Sequence, residues 1–321
     1  MLVPILATLG GLAALAWSAD KFVAGASAVA RYLGMAPLLI GMIVIGFGTS
    51  APELVVSTFA AAGGDPEIAL GNAFGSNIAN IGLILGITAI VLPIIVKRGI
   101  LRKELPLLLV VTAVAWLVMS DGELSRGDAG VLVLLLVVLL TWQILSARQH
   151  QGDALEKDVE EAAASRAMSR KAAWVWLLVG LVLLVVSSRI LVWGAVEIAE
   201  SLGWSDLVIG LTVVAIGTSA PELASALAAA RHGQNDLALG NVIGSNLFNT
   251  LGVVGLAGLI APATVSPELL NRDLPMVAFM TVLVLIFGFR WKRDGRINRL
   301  EGGVLLALWL AYTAFLVLNP T

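Results

Sequence analysis

Long apolar runs separated by short polar connections recur along the whole chain. They fall near residues 2–20, 34–61, 68–94, 105–119, 128–147, 173–198, 203–230, 237–262, 275–289 and 302–319. A helix that crosses a bilayer needs about 20 mostly apolar residues, so the pattern predicts ten membrane-spanning helices, the short fourth and ninth runs extending into their flanks. Composition agrees: 59% of the 321 residues are hydrophobic, the mean hydropathy is +0.95 and 13% are charged, where soluble domains carry about 25%. The chain reads as an all-α integral membrane protein.

Charge orients it. With the N-terminus outside, 17 of the 20 Lys and Arg residues fall in inside connections, and only Arg126, Arg189 and Arg272 fall outside. That asymmetry supports the ten-span count and an N-out, C-out topology. No basic region precedes the first apolar run, which argues against a cleaved signal peptide. There is no cysteine, which excludes disulfides, thiol catalysis and cysteine metal sites. The two histidines, His150 and His232, lie in polar connections. No arrangement of nucleophile, base and oxyanion donor is visible, so an enzyme is not expected and no cofactor is implied.

The pattern also repeats. Adding 169 to a residue number maps Ser18 on Ser187, Gly25 on Gly194, Glu53 on Glu222, Gly71 on Gly240 and Asn80 on Asn249, and 18 of the 33 positions from Gly48 to Asn80 are identical in the second copy. Five spans per copy is an odd number, so the second copy enters the membrane from the opposite side. This predicts two inverted-topology five-helix repeats, residues 1–146 and 173–321, joined by a cytoplasmic linker at 147–172. Inverted repeats are the architecture expected of alternating access about a central site.

GTSAPEL occurs twice, at Gly48–Leu54 and Gly217–Leu223, inside apolar sequence. Pro52 and Pro221 have no N–H to give the carbonyls of Gly48 and Gly217, so each helix should break or kink there. Free carbonyls at membrane depth are tolerated only where they line a cavity or coordinate something. Glu53 and Glu222 follow directly, and a charged carboxylate in mid-membrane costs several kcal/mol unless paired. With no Lys or Arg inside a central span to pair with them, the natural partner is a bound cation, or a proton in its absence. Thr49, Ser50, Thr218 and Ser219 share a helical face with these acids. In the following span, GNAFGSNIAN places Ser76 and Asn80 four apart, and GNVIGSNLFN does so for Ser245 and Asn249. Such hard oxygen donors suit Ca²⁺ or Na⁺ and speak against Zn²⁺, Cu or Fe.

Other polar residues read more simply. Ser57, Thr58 and Ser225 are expected to bond helix carbonyls or join helices, and Gly71, Gly75, Gly240 and Gly244 to allow close packing. Asn72, Asn77, Asn241 and Asn246 are open between ligands and capping or interhelical bonds. Asp65, Glu67 and Asp236 read as solvated loop acids, Asp20 and Asp206 as caps.

At these motifs the sequence resembles the calcium/cation antiporter superfamily, specifically the compact prokaryotic sodium/calcium exchanger type, over nearly the whole chain. The resemblance implies a row of cation sites between the second, third, seventh and eighth spans. Glu53 and Glu222 would be central ligands, with Thr49, Ser50, Ser76, Thr218, Ser219 and Ser245 adding oxygens and Asn80 and Asn249 sitting at the centre. The carbonyls of Gly46 and Ala215 would complete outer sites, and the long first and sixth spans would slide to switch access. Some relatives, including ones that also move K⁺, carry Asp where this chain has Asn249, so Asn in both repeats favours plain Na⁺/Ca²⁺ exchange. The proton/calcium branch usually carries GNxxE in place of GTSxPE. The expectation is a sodium/calcium antiporter in the inner membrane of a prokaryote, extruding Ca²⁺ in exchange for Na⁺. The alternatives are a proton/cation (Ca²⁺/H⁺) antiporter and, behind it, a cation channel. Its partners would be the two transported ions and the lipid bilayer, without nucleic acid or an obligate protein partner.

Overall fold

The computed structural model describes residues 2–149, 168–202, 215–289 and 294–318. Helices dominate it: α1 (Leu2–Leu33), α2 (Pro37–Thr49), α3 (Ala51–Gly63), α4 (Pro66–Val91), α5 (Leu105–Val118), α6 (Arg126–Gln149), α7 (Arg170–Ser201), α8 (Ala215–Thr218), α9 (Ala220–Arg231), α10 (Asn235–Ile260), α11 (Leu269–Gly288) and α12 (Arg299–Leu318). Seven of them are individually long and apolar enough to cross a membrane, and the bent pair α2 and α3 makes an eighth. The fourth expected span is the 14-residue α5, continued backwards by a π-helical turn at Ile100–Glu104. The expected seventh span begins among residues outside the described set and continues as α8 and α9.

Burial separates centre from rim. In α4 and α10 respectively, 72% and 83% of the most apolar stretch is buried, against 22% in α1 and 17% in α6. The rim helices turn large apolar side chains outward, among them Leu134, Val137, Leu178 and Val182. Such a surface has lipid, not water, as its natural solvent. This is a multi-pass membrane protein whose centre is built from α2, α3, α4, α8, α9 and α10.

The two longest helices, α1 and α7, lie antiparallel against each other. Gly11 meets the backbone of Leu191, Gly25 that of Leu177, Gly180 that of Phe22, and Gly194 that of Pro4 and Thr8. As numbers rise along one helix they fall along the other, and each contact recurs at its 169-shifted position. Ser18 and its counterpart Ser187 meet at 3.4 Å where the helices cross.

A second close approach positions the centre. A Cβ on Gly244 would sit 2.3 Å from the carbonyl oxygen of Met42, and one on Gly240 would sit 2.5 Å from that of Leu38. Only glycine lets α10 press its backbone onto α2, in agreement with the packing role expected for this pair. At Gly71 and Gly75 no described atom lies within 4 Å of the place a Cβ would take, so close packing is not seen there.

Two features depart from the all-helical expectation. Ile94–Val96 (β1) pairs antiparallel with Gly295–Ile297 (β4), and Glu123–Leu124 (β2) with Ala263–Thr264 (β3). These ladders tie connections of one half to connections of the other. Arg189, counted above with the outside connections, lies well inside α7. Asp236 is not a solvated loop acid but sits in the first turn of α10, paired with Lys97 at 2.7 Å. Asp20, expected as a cap, meets His232 at 2.6 Å, which gives that histidine a partner across helices. His150 and Asp206 lie outside the described residues.

Gly244→Ala should destabilise the protein by about 1–3 kcal/mol, the usual cost of overpacking, whereas Gly63→Ala, where nothing lies within 4 Å, should be neutral or stabilising by up to about 1 kcal/mol. Thermal unfolding in detergent reads the difference, and equal melting temperatures would contradict backbone contact at Gly244.

Candidate cation-binding site

The repeated motif breaks its helix in the same way twice. At Ser50 the backbone leaves the helix (φ −84°, ψ 4°) and at Ser219 it does so almost identically (φ −85°, ψ 2°). Pro52 and Pro221 then fall within the first two positions of α3 and α9, where the missing N–H costs nothing. Across the first break, α2 and α3 bend by 46°. Each acid therefore stands in the first turn of a new helix that starts inside the protein.

Both acids are buried, with Glu53 3% and Glu222 2% exposed. They are close enough for the charge of one to act on the other. Among the described residues, Glu53 Oε2 and Glu222 Oε2 each lack a hydrogen-bond partner. Ser50 Oγ donates to Glu222 Oε1 at 3.5 Å, so the first half supplies a hydroxyl to the acid of the second. Ser245 Oγ donates to the carbonyl of Gly46 at 3.3 Å, where a Cβ on Gly46 would lie 2.9 Å from the nitrogen of Ser245. The structure thus brings together Gly46, Thr49, Ser50, Ser245 and Glu222.

Thr49 donates a single proton among Ile45 O at 3.0 Å, Gly46 O at 3.4 Å and Asn241 Oδ1 at 3.1 Å. Ser76, Ser219 and Asn80 are buried on the central elements, and Thr218 ends α8 beside them. Ala215 opens α8, and the residues leading into it lie outside the described set. The two central amides differ. Asn80 Nδ2 donates to Asn246 Oδ1 at 2.9 Å, while neither side-chain atom of Asn249 has a partner.

The asparagines left open by the sequence make interhelical bonds. Asn72 Nδ2 reaches the main-chain carbonyl of Glu53 at 3.3 Å and Ser57 Oγ at 3.0 Å. Asn241 Nδ2 reaches the main-chain carbonyl of Glu222 at 3.1 Å, the equivalent bond in the other copy. Asn77 Nδ2 donates to Thr250 Oγ1 at 2.7 Å, and Asn246 Nδ2 to the carbonyl of Asn77 at 3.4 Å. Ser57 joins helices as expected. Ser225 is buried with its hydroxyl unpartnered, against the expectation of a helix bond.

Three features of the site are not foreshadowed by the sequence. First, α2, α4 and α10 each contain a six-residue π-helical turn, at Gly41–Gly46, Asn80–Leu85 and Phe248–Val253. Such turns cluster at functional sites because they rotate ligands out of α-helical register; here two of them begin at or beside Asn80 and Asn249. Second, the carbonyl of Gly217, freed by Pro221, does not wait for an ion: Ser188 Oγ on α7 donates to it at 2.9 Å. The equivalent residue in the first copy is Ala19, which has no hydroxyl to offer. Third, Arg189 lies inside α7 directly after Ser188, so a basic residue stands within one of the long helices.

Chemically, the arrangement concentrates oxygen. Two buried carboxylates, each with an oxygen unpartnered among the described residues, lie with the hydroxyls of Thr49, Ser50 and Ser245, and neither acid forms a salt bridge within 4 Å among the described residues. The arrangement can hold a hard cation by direct ligation.

Comparison with known proteins places this arrangement among relatives. A sequence model of the family described as sodium/calcium exchanger protein matches residues 3–145 and 172–318. The CaxA protein of Alkalimonas amylolytica is 43% identical over 316 residues, covering 97% of this chain and 98% of the relative. The inner membrane protein YrbG of Escherichia coli K12 is 39% identical over 318 residues, covering 98% and 97%. A more distant relative, the Ca²⁺/H⁺ antiporter ChaA of Bacillus subtilis, is 27% identical over 310 residues, covering 88% and 87%. Among solved structures, the sodium-calcium exchanger NCX_Mj soaked with 2.5 mM Na⁺ and 0.1 mM Ca²⁺ superposes with a TM-score of 0.83 at 32% identity, covering 100% of this chain and 99% of that one.

Ser188→Ala leaves the Gly217 carbonyl without its donor. It should cost about 1–3 kcal/mol of stability, the penalty for stranding a buried acceptor, while Ser201→Ala, whose hydroxyl is exposed on the same helix, should cost less than about 0.5 kcal/mol. Chemical or thermal unfolding checks this, and equal effects of the two substitutions would contradict it.

Proposed function

The chain belongs to the sodium/calcium exchanger protein family, and from that premise we propose that it is a sodium/calcium antiporter that extrudes Ca²⁺ in exchange for Na⁺ by alternating access. The observation that carries the reading is the pair of buried acids, Glu53 and Glu222, each with an oxygen that no group among the described residues satisfies. A buried charge left unpaired is costly, so a cation is the natural complement. One Ca²⁺ or two Na⁺ neutralise the two carboxylates. Because both ions compete for one set of oxygens, exchange follows without contact between them.

In this reading Glu53 and Glu222 are the central ligands, Asn80 and Asn249 neutral ligands beside them, and Thr49, Ser50, Ser76, Thr218, Ser219 and Ser245 hydroxyl ligands. The carbonyls of Gly46 and Ala215 complete outer positions. The chain crosses the prokaryotic inner membrane ten times, N-out and C-out, in two inverted halves at 1–146 and 173–321 joined by the linker 147–172. The recurrence of glycine contacts, carbonyl-bound asparagines and broken helices at an offset of 169 supports that division. If more sodium than calcium charge moves in a cycle, each net charge responds by about 2.3 kcal/mol per 100 mV.

The resemblance to a Ca²⁺/H⁺ antiporter favours a second reading, in which the same acids carry protons. Flux separates the two. Ca²⁺ uptake into proteoliposomes loaded with Na⁺ and diluted into Na⁺-free buffer should greatly exceed uptake into vesicles loaded with K⁺ or given only a pH gradient. Glu53→Gln and Glu222→Gln should each bring uptake to background while the protein remains folded. Uptake driven equally by a pH gradient would transfer the chain to the proton reading, and normal exchange in both variants would overturn the assigned site.

A further inference from the structure

We propose that Asn241 is a positioning residue of the cation site, which takes up the hydroxyl proton of Thr49 and thereby fixes the direction in which that hydroxyl offers its lone pairs to the ion. The proposal rests on the sodium/calcium exchange reading above. A threonine hydroxyl has one proton to give. Fully buried, Thr49 has three acceptors within reach: Ile45 O at 3.0 Å, Gly46 O at 3.4 Å and Asn241 Oδ1 at 3.1 Å. The three conflict, because a proton given to either carbonyl of its own helix and one given across to the other half turn the hydroxyl's lone pairs in different directions. The Gly46 carbonyl in addition already accepts from the N–H of Ser50 and from Ser245 Oγ.

Asn241 removes the conflict. Its Nδ2 donates to the main-chain carbonyl of Glu222 at 3.1 Å, and only the amide nitrogen can satisfy a carbonyl. That bond fixes which way the amide faces, so Oδ1 is turned toward Thr49, 3.1 Å away. With its proton committed there, Thr49 presents lone pairs toward the site. One side chain, 1% exposed, thus joins the backbone that carries an acid in the second half to a hydroxyl ligand in the first. Its counterpart Asn72 makes the same bond to the carbonyl of Glu53 but gives its other hydrogen to Ser57 on the same half. Asn241 thus makes a bond across the two halves.

Without Asn241 the Thr49 hydroxyl falls back on the Ile45 and Gly46 carbonyls of its own helix, a common resting place for a helical threonine. In reconstituted protein, Asn241→Ala should raise the Ca²⁺ concentration for half-maximal Na⁺-dependent uptake by about five- to tenfold, the worth of one hydrogen bond, with maximal rate held within about twofold. The decisive arm is the cycle with Thr49→Val. If Asn241 acts through the Thr49 proton, adding Asn241→Ala to Thr49→Val changes the half-maximal concentration by less than about twofold. Asn72→Ala added to Thr49→Val should instead multiply, because Asn72 does not touch Thr49. Equal factors for Asn241→Ala in both backgrounds would mean simple packing and would overturn the inference while the exchange reading stands. Wild-type protein without Na⁺-dependent uptake would overturn both. Should Asn241→Ala not reconstitute, Asn241→Ser removes the same amide and supports the same cycle.

Discussion

Two buried carboxylates with unsatisfied oxygens set the terms for the rest of this molecule. Taking a carboxylate out of water costs several kcal/mol even after relaxation, and here two stand near enough to repel. Among the described residues neither acid forms an ion pair within 4 Å. The protein offsets part of the cost with the hydroxyl of Ser50 and with helix N-termini that start beneath both acids, where the helix dipole favours negative charge. The oxygens left unpartnered among the described residues are the ones the proposed cation would take, and the surrounding helices bury them.

Holding two acid-bearing first turns at the centre of the helical bundle requires helices that end and restart inside protein. The break at Ser50 and Pro52 does so without leaving the backbone in an unusual region, since no described residue other than glycine has positive φ. Close backbone contact then seals the region: α10 presses on α2 through Gly240 and Gly244, and α1 lies along α7 through Gly11, Gly25, Gly180 and Gly194. The same constraint explains why the asparagines point inward. Asn72 and Asn241 each bond the main-chain carbonyl of the acid in the first turn after a break, and so tie that turn to a neighbouring helix.

Much of this was legible from residues alone. The apolar runs locate the helices, the 169-residue offset pairs them, and two GTSAPEL motifs locate both breaks and both acids, because proline and a mid-span carboxylate have few other uses in apolar sequence. The π-helical turns at Asn80 and Phe248 were not legible, since a single extra residue per turn leaves hydrophobic spacing nearly unchanged. Ser188 was hidden for another reason: one serine in a long apolar helix carries no sign of which distant carbonyl it meets. Arg189 was misplaced because loop counting sorts charges by neighbouring sequence, whereas its place inside α7 depends on where a 32-residue helix begins and ends. The pairing of Asp236 with Lys97 and of Asp20 with His232 joins positions far apart in sequence, which periodicity cannot report. The four short strands escaped for the same reason: two- and three-residue ladders between connections are defined by tertiary contact.

The central claim is that the unpartnered oxygens of Glu53 and Glu222 exist to hold a cation, and calorimetric titration of Ca²⁺ into purified, Na⁺-free protein tests it most directly. The account predicts binding by the wild type that Na⁺ displaces competitively, and loss of the binding heat when both acids are replaced by glutamine. Calcium binding that survives the double replacement, or that Na⁺ leaves untouched, would contradict it.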